Sequence, residues 1–359
     1  MGKGRARGKT LRAGVIGLGW GAEHAKEFAS REGVELAAVA EPLEQIRNTQ
    51  LPKIDAKPAV YDDGLDMIRS EKLDIVVVTS PDWLHAEHSI AALETGAHVL
   101  CEKPMCDTLK DAQAMVDAVE STGLNLLVGH EVRQTPMYIK AMGLVRDGTL
   151  GRLCYGESCY LHNFESHPGL TPWRGEPRYR MFTSGACHPV DLLRYFFGDV
   201  AEVHAYSITM STILHAADPD TIVTLMRFDS GAIGRIIGSG GVKRAYELNL
   251  RLYGDKGTFE GNNESTEALL HVEKGLHNFD VSKVISEVNS HPIGAQTDNM
   301  IAAIRTGEPL LVDVYEGANC IAVCEAIRKS ARTGKTAKPH RFVRPDGAKA
   351  RYVETAGRK

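Results

Sequence analysis

The first ~130 residues alternate short apolar runs with segments of helical periodicity. The apolar runs predict strands at residues 12–16, 36–40, 75–79, 99–101 and 125–128. The run Ile75–Val78 is apolar at every position, which is typical of a strand covered by helices on both faces. Leu109–Thr122 is the clearest predicted helix, because its apolar positions form one stripe. This βαβ rhythm predicts an α/β fold whose N-terminal part is a doubly wound parallel sheet of the Rossmann type.

The pattern changes after residue 131 to an alternation of apolar and polar positions. Leu248, Leu250 and Leu252 are separated by polar residues, and residues 222–228 and 233–239 flank an Asp-Ser-Gly turn. Such segments predict antiparallel strands. We therefore expect a C-terminal α+β domain with a large, open, mainly antiparallel sheet and closing helices at 293–305 and 315–332. The expected division is a basic flexible tail at 1–10, a dinucleotide-binding Rossmann domain at 11–131, a substrate-binding and oligomerisation domain at 132–345 and a C-terminal tail at 346–359.

Composition and charge exclude several classes of protein. With 359 residues, of which 43% are hydrophobic and 25% charged, the chain has the make-up of an ordinary two-domain globular protein. Its net charge of −4 offers no positive field for a phosphate backbone, so we expect no nucleic-acid partner. No apolar run reaches the ~18 residues of a membrane span, so we expect no membrane partner. The seven cysteines include no Cys-x-x-Cys pair, which favours a reducing, cytoplasmic location and no metal centre.

A glycine-rich turn follows the first predicted strand and opens a helix. Its residues are the first cofactor-binding candidates: Gly17, Gly19, Trp20, Gly21 and Ala22. Glycines at these positions permit a tight turn and a close approach to a pyrophosphate, and the helix N-terminus offers N–H groups to the phosphates. Glu41 ends the second strand, where a carboxylate accepts hydrogen bonds from a ribose and repels a 2'-phosphate. The turn and Glu41 together predict NAD as the cofactor and disfavour NADP.

Lys103 lies in a Cys-Glu-Lys-Pro segment that ends another predicted parallel strand. Ligands of such sheets bind at the carboxyl ends of the strands, so Lys103 is placed where a nicotinamide would lie. There a lysine would stabilise an alkoxide or donate a proton. The alternative is a solvated lysine at a strand end.

His188 is followed by Pro189, and proline suits the first turn of a helix. We therefore expect His188 at the N-cap of a helix, where the helix dipole keeps its imidazole available as a base. Asp191, one turn further, is placed to bond the substrate or the cap. A histidine that only caps the helix is the competing interpretation.

Together these motifs resemble the glucose-fructose oxidoreductase / inositol dehydrogenase / MocA family over almost the whole chain. The resemblance implies an NAD-dependent dehydrogenase or reductase acting on CH–OH groups. Its implied catalytic residues are Lys103, His188 as acid/base and Asp191 near the substrate. It also implies a homodimer or homotetramer formed through the exposed face of the second sheet. The Glu-Lys-Pro segment and the Thr-Ser-Pro-Asp segment of the family add the cofactor candidates Thr79, Ser80, Pro81, Asp82, His85, Glu102 and Lys103 itself.

Two residues depart from the pattern of the family. Ser184 stands four residues before His188, where inositol-dehydrogenase-like members carry an aspartate, and Asp82 stands where asparagine is common. The first departure leaves the proton relay and the favoured direction of reaction open.

Other polar and aromatic residues are weaker candidates. Those for the substrate are Arg133, Tyr160, Trp173, Arg174 and Ser184. Trp173 lies in a Pro-rich irregular segment. A tryptophan that only packs against its own loop and holds it in place is an alternative of equal weight to substrate binding. His85 and His88 have the spacing of a metal pair, but without a third ligand we interpret them as surface residues.

We therefore expect an NAD-dependent oxidoreductase that transfers a hydride between the nicotinamide and a secondary alcohol or ketone of a sugar, cyclitol or sugar derivative. One alternative is an NAD-dependent glycoside-cleaving enzyme, which oxidises a sugar transiently, eliminates the glycosidic group and reduces the product. Another is a non-catalytic NAD-sensing protein. Such a protein would keep Gly17, Gly19 and Glu41 but would have no use for Lys103 and His188.

Overall fold

The computed structural model describes residues 9–166, 172–211, 218–263, 267–280 and 292–345. The expected C-terminal tail and residues 1–8 of the expected N-terminal tail lie outside these ranges. The chain divides into two compact units. The first contains the described residues up to Cys106 together with Lys110–Gly129 and Ile293–Val314. The second contains Asp107–Leu109, the described part of His130–Pro292 and the described residues from Tyr315 onward.

Strands and α-helices alternate in the first unit, while most strands of the second unit follow one another. The strands are β1 (Leu11–Ile16), β2 (Val34–Ala40), β3 (Ala59–Tyr61), β4 (Ile75–Val78), β5 (His98–Glu102), β6 (Leu126–Gly129), β7 (Leu153–Leu161), β8 (Val200–Ile208), β9 (Thr221–Phe228), β10 (Ile233–Ser239), β11 (Glu247–Gly254), β12 (Gly257–Asn262), β13 (Glu267–Val272) and β14 (Gly275–Asp280). The helices are α1 (Gly21–Ala29), α2 (Glu44–Gln50), α3 (Gly64–Ser70), α4 (His85–Glu94), α5 (Leu109–Thr122), α6 (Pro136–Arg146), α7 (Met181–Phe197), α8 (Ile293–Thr306) and α9 (Val314–Thr333). Within the described residues, no helix has both the length and the apolar content needed to cross a membrane.

The first unit is built on a six-stranded sheet with the strand order β3-β2-β1-β4-β5-β6. All neighbouring strands pair in parallel, and this is the doubly wound order of a dinucleotide-binding fold. Val76 and Val77 on β4 are fully buried, as expected of a strand with helices on both faces. The predicted parallel sheet is therefore confirmed. The sequence does not predict β3, because three residues at a sheet edge, two of them exposed, leave no readable pattern.

Helix α8 packs against α1 in the first unit. Met300 and Ile301 belong to the same apolar core as Phe28, and Arg31 lies 2.7 Å from Asp298. The expected domain boundaries place residues 293–314 with the second sheet instead. An amphipathic pattern shows which face of a helix is buried but not which sheet covers that face, so periodicity does not assign this segment.

The second unit is built on an eight-stranded sheet with the order β14-β13-β12-β11-β7-β10-β9-β8. Its neighbouring strands pair antiparallel, apart from the parallel pair of β7 and β10. Helix α7 contributes Phe182, Val190 and Leu193 to an apolar core that also contains Ile236 and Leu250 of the sheet. The predicted large, mainly antiparallel sheet is therefore confirmed.

The other face of this sheet exposes apolar side chains on β8, β9 and β10. Tyr206, Val223, Leu225 and Ile233 are 72%, 41%, 55% and 50% exposed. Tyr206 lies opposite Val223 and Val223 lies opposite Ile237, so these three residues form a row across the strands. Adjoining large apolar residues on a surface are typical of an interaction site. We call this surface the outer sheet face.

Candidate functional site

The glycine turn after β1 is held against the loop after β4. Gly17 has a φ of +86°, and a Cβ added there would lie 2.6 Å from the carbonyl oxygen of Thr79. The Thr79 hydroxyl donates to the carbonyl oxygens of Ile16 and Gly17, at 2.7 and 2.9 Å. Position 17 therefore requires glycine, because a side chain there would meet both a positive φ and a backbone oxygen.

Helix α1 begins at Gly21, and this residue makes the close approach of helix to strand. A Cβ at Gly21 would collide with the Thr79 hydroxyl and would lie 3.1 Å from Val15. Gly21 therefore permits the close packing of α1 on β1, and Ala22 beside it is buried. Residues 19 and 20 are exposed, so the turn that precedes α1 faces solvent, as the binding of a pyrophosphate there would require.

Glu41 is buried after β2, and backbone N–H groups orient its carboxylate. Oε2 accepts from Leu18 at 2.8 Å, and Oε1 accepts from Leu43 at 2.9 Å. Each oxygen keeps a further lone pair, which a ribose hydroxyl would use. Arg47 donates to the Glu41 carbonyl oxygen and to Asp62, so its guanidinium is already engaged. These contacts fit NAD better than NADP.

The end of β5 carries Glu102 and Lys103. Glu102 is buried, and its carboxylate lies 2.9 Å from Nε2 of His24 and accepts from the Lys103 N–H at 3.1 Å. Burial alone would raise the pKa of Glu102, but the hydrogen bond and charge of His24 and the charge of Lys103 lower it. Glu102 is thus a buried support for Lys103, whose side chain is half-buried and whose peptide bond to Pro104 is cis. The sequence gives no signal for His24, which lies 78 residues from its partner.

The loop after β4 leads into α4 and contains several buried polar residues. The Ser80 hydroxyl lies 2.9 Å from Nδ1 of His88. Both ring nitrogens of His85 lie 2.8 Å from backbone carbonyl oxygens, one of Ser80 and one of Pro104. Asp82 is buried in the same loop. The interpretation of His85 and His88 as surface residues is therefore wrong, because α4 packs this face against β4 and β5.

His188 lies inside α7 and not at its start. The helix begins at Met181 with Arg180 as its N-cap residue, and Pro189 is an internal residue. The prediction of His188 as an N-cap is therefore wrong, and the helix-dipole argument for its imidazole fails. The missing N–H of Pro189 removes one helical hydrogen bond, to the carbonyl of Gly185, while packing on β7 and β10 keeps the helix continuous.

Aromatic rings surround His188, which is 2% exposed. The Tyr160 ring stacks on the His188 ring, with 6.0 Å between the ring centroids and 21° between the planes. The His130 ring meets it edge-on, with 6.4 Å between the centroids and 79° between the planes. The ring centroid of Tyr246 lies 5.3 Å from that of Tyr160 and 5.2 Å from that of His162. Burial raises the pKa of Tyr246 well above its usual value, and the electrostatic effect of Tyr160 raises it further. The Tyr246 hydroxyl therefore stays protonated. The structure brings the candidates His188 and Tyr160 together and adds three rings for which the sequence holds no motif.

Asp191 is fully buried and forms an ion pair with Arg133. The guanidinium donates to both carboxylate oxygens, at 2.7 and 2.6 Å, and to Glu316 at 3.2 Å. Burial alone would raise the pKa of Asp191, but Arg133 and His130 lower it, so the carboxylate stays ionised. Asp191 and Arg133 thus join α7 to its neighbours, and both side chains lie beneath the surface.

His130, Asp191 and Cys320 form the described cluster that comes nearest to a metal centre, with ligand atoms within 4.8 Å of one another. Arg133 already donates to both oxygens of Asp191, at 2.7 and 2.6 Å. Its positive charge would therefore repel a cation bound by the same carboxylate. Burial also raises the pKa of the Cys320 thiol well above its usual value, which disfavours the thiolate that a metal binds. We therefore interpret the cluster as part of the buried ion-pair network.

The remaining substrate candidates lie in two segments of the second unit. Ser184 is buried on α7, one turn before His188. Trp173 packs edge-on against Tyr179 at 5.4 Å, and the Arg174 guanidinium lies 5.1 Å from the Trp173 ring centre. Residues 167–171 of the same irregular segment lie outside the described ranges. Trp173 is held by its own segment, which favours the alternative that it packs down the loop.

Two family models match most of the chain. The model described as an oxidoreductase family with an NAD-binding Rossmann fold matches residues 11–130, and the GFO/IDH/MocA C-terminal domain matches residues 138–260. A myo-inositol 2-dehydrogenase from Thermotoga maritima is 27% identical over 335 residues, which are 91% of this chain and 98% of that protein.

Two further similarities cover different shares of the chain. A glycosyl hydrolase family 109 protein from Shewanella baltica is 31% identical over 161 residues, which are 42% of this chain and 35% of that protein. A solved levoglucosan dehydrogenase, in complex with NADH and levoglucosan, is 20% identical with a TM-score of 0.82 over 92% of this chain and 100% of that chain. The similarity to the levoglucosan dehydrogenase shows a shared fold.

Gly185 allows the Tyr160 ring to lie against α7, since a Cβ there would lie 2.5 Å from that ring. Alanine normally stabilises a helix interior by about 0.5 to 1 kcal/mol relative to glycine. We expect Gly185→Ala to reverse this sign and lower the melting temperature, because Tyr160 must move away from His188. The control is Gly143→Ala at an exposed position of α6 with nothing within 4 Å, which should raise the melting temperature. A Gly185→Ala protein as stable as the wild type would contradict this account of the packing.

Proposed function

This chain belongs to the GFO/IDH/MocA oxidoreductase family, and from that premise we propose that it transfers a hydride between NAD and a secondary alcohol or ketone of a sugar, cyclitol or sugar derivative. The observation that carries the proposal is the geometry at the strand ends of the first unit. A tight glycine turn follows β1, the Glu41 carboxylate accepts from Leu18 of that turn, and Lys103 directly follows β5, which supports binding of a pyrophosphate, a ribose and a nicotinamide there. The substrate class is supported by the names of the relatives, a myo-inositol 2-dehydrogenase and a levoglucosan dehydrogenase.

Each candidate catalytic group has a separate role in the proposed hydride transfer. NAD, when bound, supplies a nicotinamide that accepts or gives the hydride. Lys103 would donate from Nζ to the substrate oxygen and stabilise its alkoxide character, and His188 would exchange the proton of that hydroxyl. Asp191 would act through its ion pair with Arg133 by fixing α7, which is a positioning role. With Ser184 one turn earlier, His188 would work without the aspartate that the family resemblance leads one to expect there.

Glycoside cleavage through transient oxidation is a second candidate function, favoured by the similarity to the glycosyl hydrolase family 109 protein. A panel of sugars, cyclitols, their keto forms and nitrophenyl glycosides distinguishes the two when NADH absorbance and aglycone release are followed in parallel. Net formation or consumption of NADH supports the dehydrogenase. Aglycone release without net NADH selects glycoside cleavage, and the absence of both signals with every compound contradicts both functions.

We also propose a reducing, cytoplasmic setting for the protein. The seven cysteines all lie within the described residues, none of them forms a disulfide, and six are buried. Buried thiols without disulfides suit a compartment that keeps cysteine reduced.

Glu41→Ala should narrow the preference for NAD over NADP. Loss of a charged hydrogen bond to the ribose costs about 1.5 to 3 kcal/mol, while loss of the carboxylate also ends its repulsion of a 2'-phosphate. We expect NAD affinity to fall roughly 10- to 100-fold and NADP affinity to change much less. Glu44→Ala, which removes an exposed carboxylate nearby, is the control. Calorimetric titration measures both nucleotides, and a wild-type protein that prefers NADP would overturn the assignment of Glu41.

Lys103→Met and His188→Ala should lose turnover and keep their affinity for NAD. Methionine removes the lysine charge at similar length, and alanine removes the general base, so kcat should fall roughly 10²- to 10⁴-fold. Lys110→Met, at an exposed position of α5, is the control and should retain wild-type kcat. Nucleotide titration and kcat are measured on the same preparations. Normal turnover would remove the residue from the mechanism, and loss of NAD binding would make it a cofactor contact.

We propose that the outer sheet face joins copies of this chain into a homodimer or homotetramer. Its exposed Tyr206, Val223 and Leu225 form a surface that symmetric association would bury. Leu225→Lys places a charge on this apolar surface, and burial of an unpaired charge in an interface is costly, so light scattering should show a shift toward monomer. Val343→Lys, at an apolar position that is 75% exposed, is the matched control and should leave the mass unchanged. A wild-type monomer at micromolar concentration would refute this proposal.

A further inference from the structure

His85 begins α4 and is 1% exposed. Its Nδ1 lies 2.8 Å from the carbonyl oxygen of Pro104, and its Nε2 lies 2.8 Å from the carbonyl oxygen of Ser80. A carbonyl oxygen only accepts hydrogen bonds, whereas a neutral imidazole has a single N–H donor. A neutral ring would therefore set a bare nitrogen against one of the two oxygens, in a buried place where an unmatched polar group is costly.

We infer that His85 is an imidazolium cation in the working protein and that it ties the loop after β4 to the loop after β5. The first loop carries Ser80, and the second carries Lys103, which adjoins Pro104. Charge-assisted hydrogen bonds are stronger than neutral ones, so the ring fixes the spacing of these two strand ends. His85 is thus a positioning residue for Lys103. This role rests on the proposed function, whereas the charge of the ring does not.

The charges around His85 support the cation. Cys101, on β5, and Asp82, on the short helix before α4, both favour the protonated form of the His85 ring. His88 lies one turn further along α4. Burial alone would lower the pKa of His85, but Cys101, Asp82 and the Pro104 carbonyl raise it to about 10. Burial and the positive charge of His85 lower the pKa of His88 to about 4. The two neighbouring rings therefore carry one charge between them near neutral pH.

Nuclear magnetic resonance of protein labelled with ¹⁵N-histidine measures this charge directly. At pH 8, one of the 14 histidines should show both ring nitrogens protonated together with Overhauser contacts to Ser80 and Pro104. These contacts assign the signal even if no variant at position 85 folds. The second proton should leave only as the pH approaches about 10. A ring with these contacts that carries one proton at pH 8 would overturn the inference.

Kinetics test the positioning role. Glutamine at position 85 keeps an N–H donor for one carbonyl but turns its own oxygen toward the other, so His85→Gln should lower kcat about tenfold or more. Its affinity for NAD should change less than about threefold, because both ring nitrogens of the buried His85 are bonded to backbone carbonyls and the ring is therefore not a cofactor contact. Glu87→Gln, at an exposed position of α4, is the control and should keep wild-type kcat. Unchanged kcat in folded His85→Gln would refute the positioning role. If the wild type turns over no compound of the substrate panel, the proposed function fails while the resonance experiment still decides the charge.

Discussion

The glycine turn, the start of α1 and the carboxylate of Glu41 all depend on one contact, which lies between the turn after β1 and Thr79 after β4. The Thr79 hydroxyl donates to the carbonyl oxygens of Ile16 and Gly17, and positions 17 and 21 leave no room for a Cβ beside it. This contact sets the N-terminus of α1 at the carboxyl edge of the sheet, where parallel sheets bind their ligands. The orientation of Glu41 follows from it, since Leu18 of the same turn donates to its carboxylate.

The second unit depends instead on buried charge. Arg133, Asp191 and Glu316 are paired beneath the surface. Such networks add little net stability compared with apolar packing, but removal of one partner costs about 3 to 5 kcal/mol because it strands a buried charge. We interpret the network as a device that gives α7 one preferred position. His188 takes its place from that helix, and the Tyr160 ring stacks on it.

The parallel sheet, the glycine turn and Glu41 are predictable because their signals are local. One βαβ unit sets the spacing of apolar runs, glycines and acid along the sequence. The features that the sequence does not predict depend on partners far away in the chain. Pro189 indicates a helix start, and only the packing of α7 on the second sheet overrides that preference. Asp191 and Arg133 are 58 residues apart, and no periodic pattern connects them. The segment 293–314 likewise has its partner, α1, at the other end of the chain.

Direct hydride transfer to the nicotinamide is the central claim, and isotope transfer measures it. The protein is incubated with NAD and a substrate that carries deuterium on every carbinol carbon, such as perdeuterated myo-inositol or another active member of the sugar and cyclitol panel. The reduced cofactor is then analysed by mass spectrometry. We predict NADH that carries one deuterium. NADH without deuterium would contradict the account, and so would a failure of every compound in the panel to reduce NAD or to oxidise NADH.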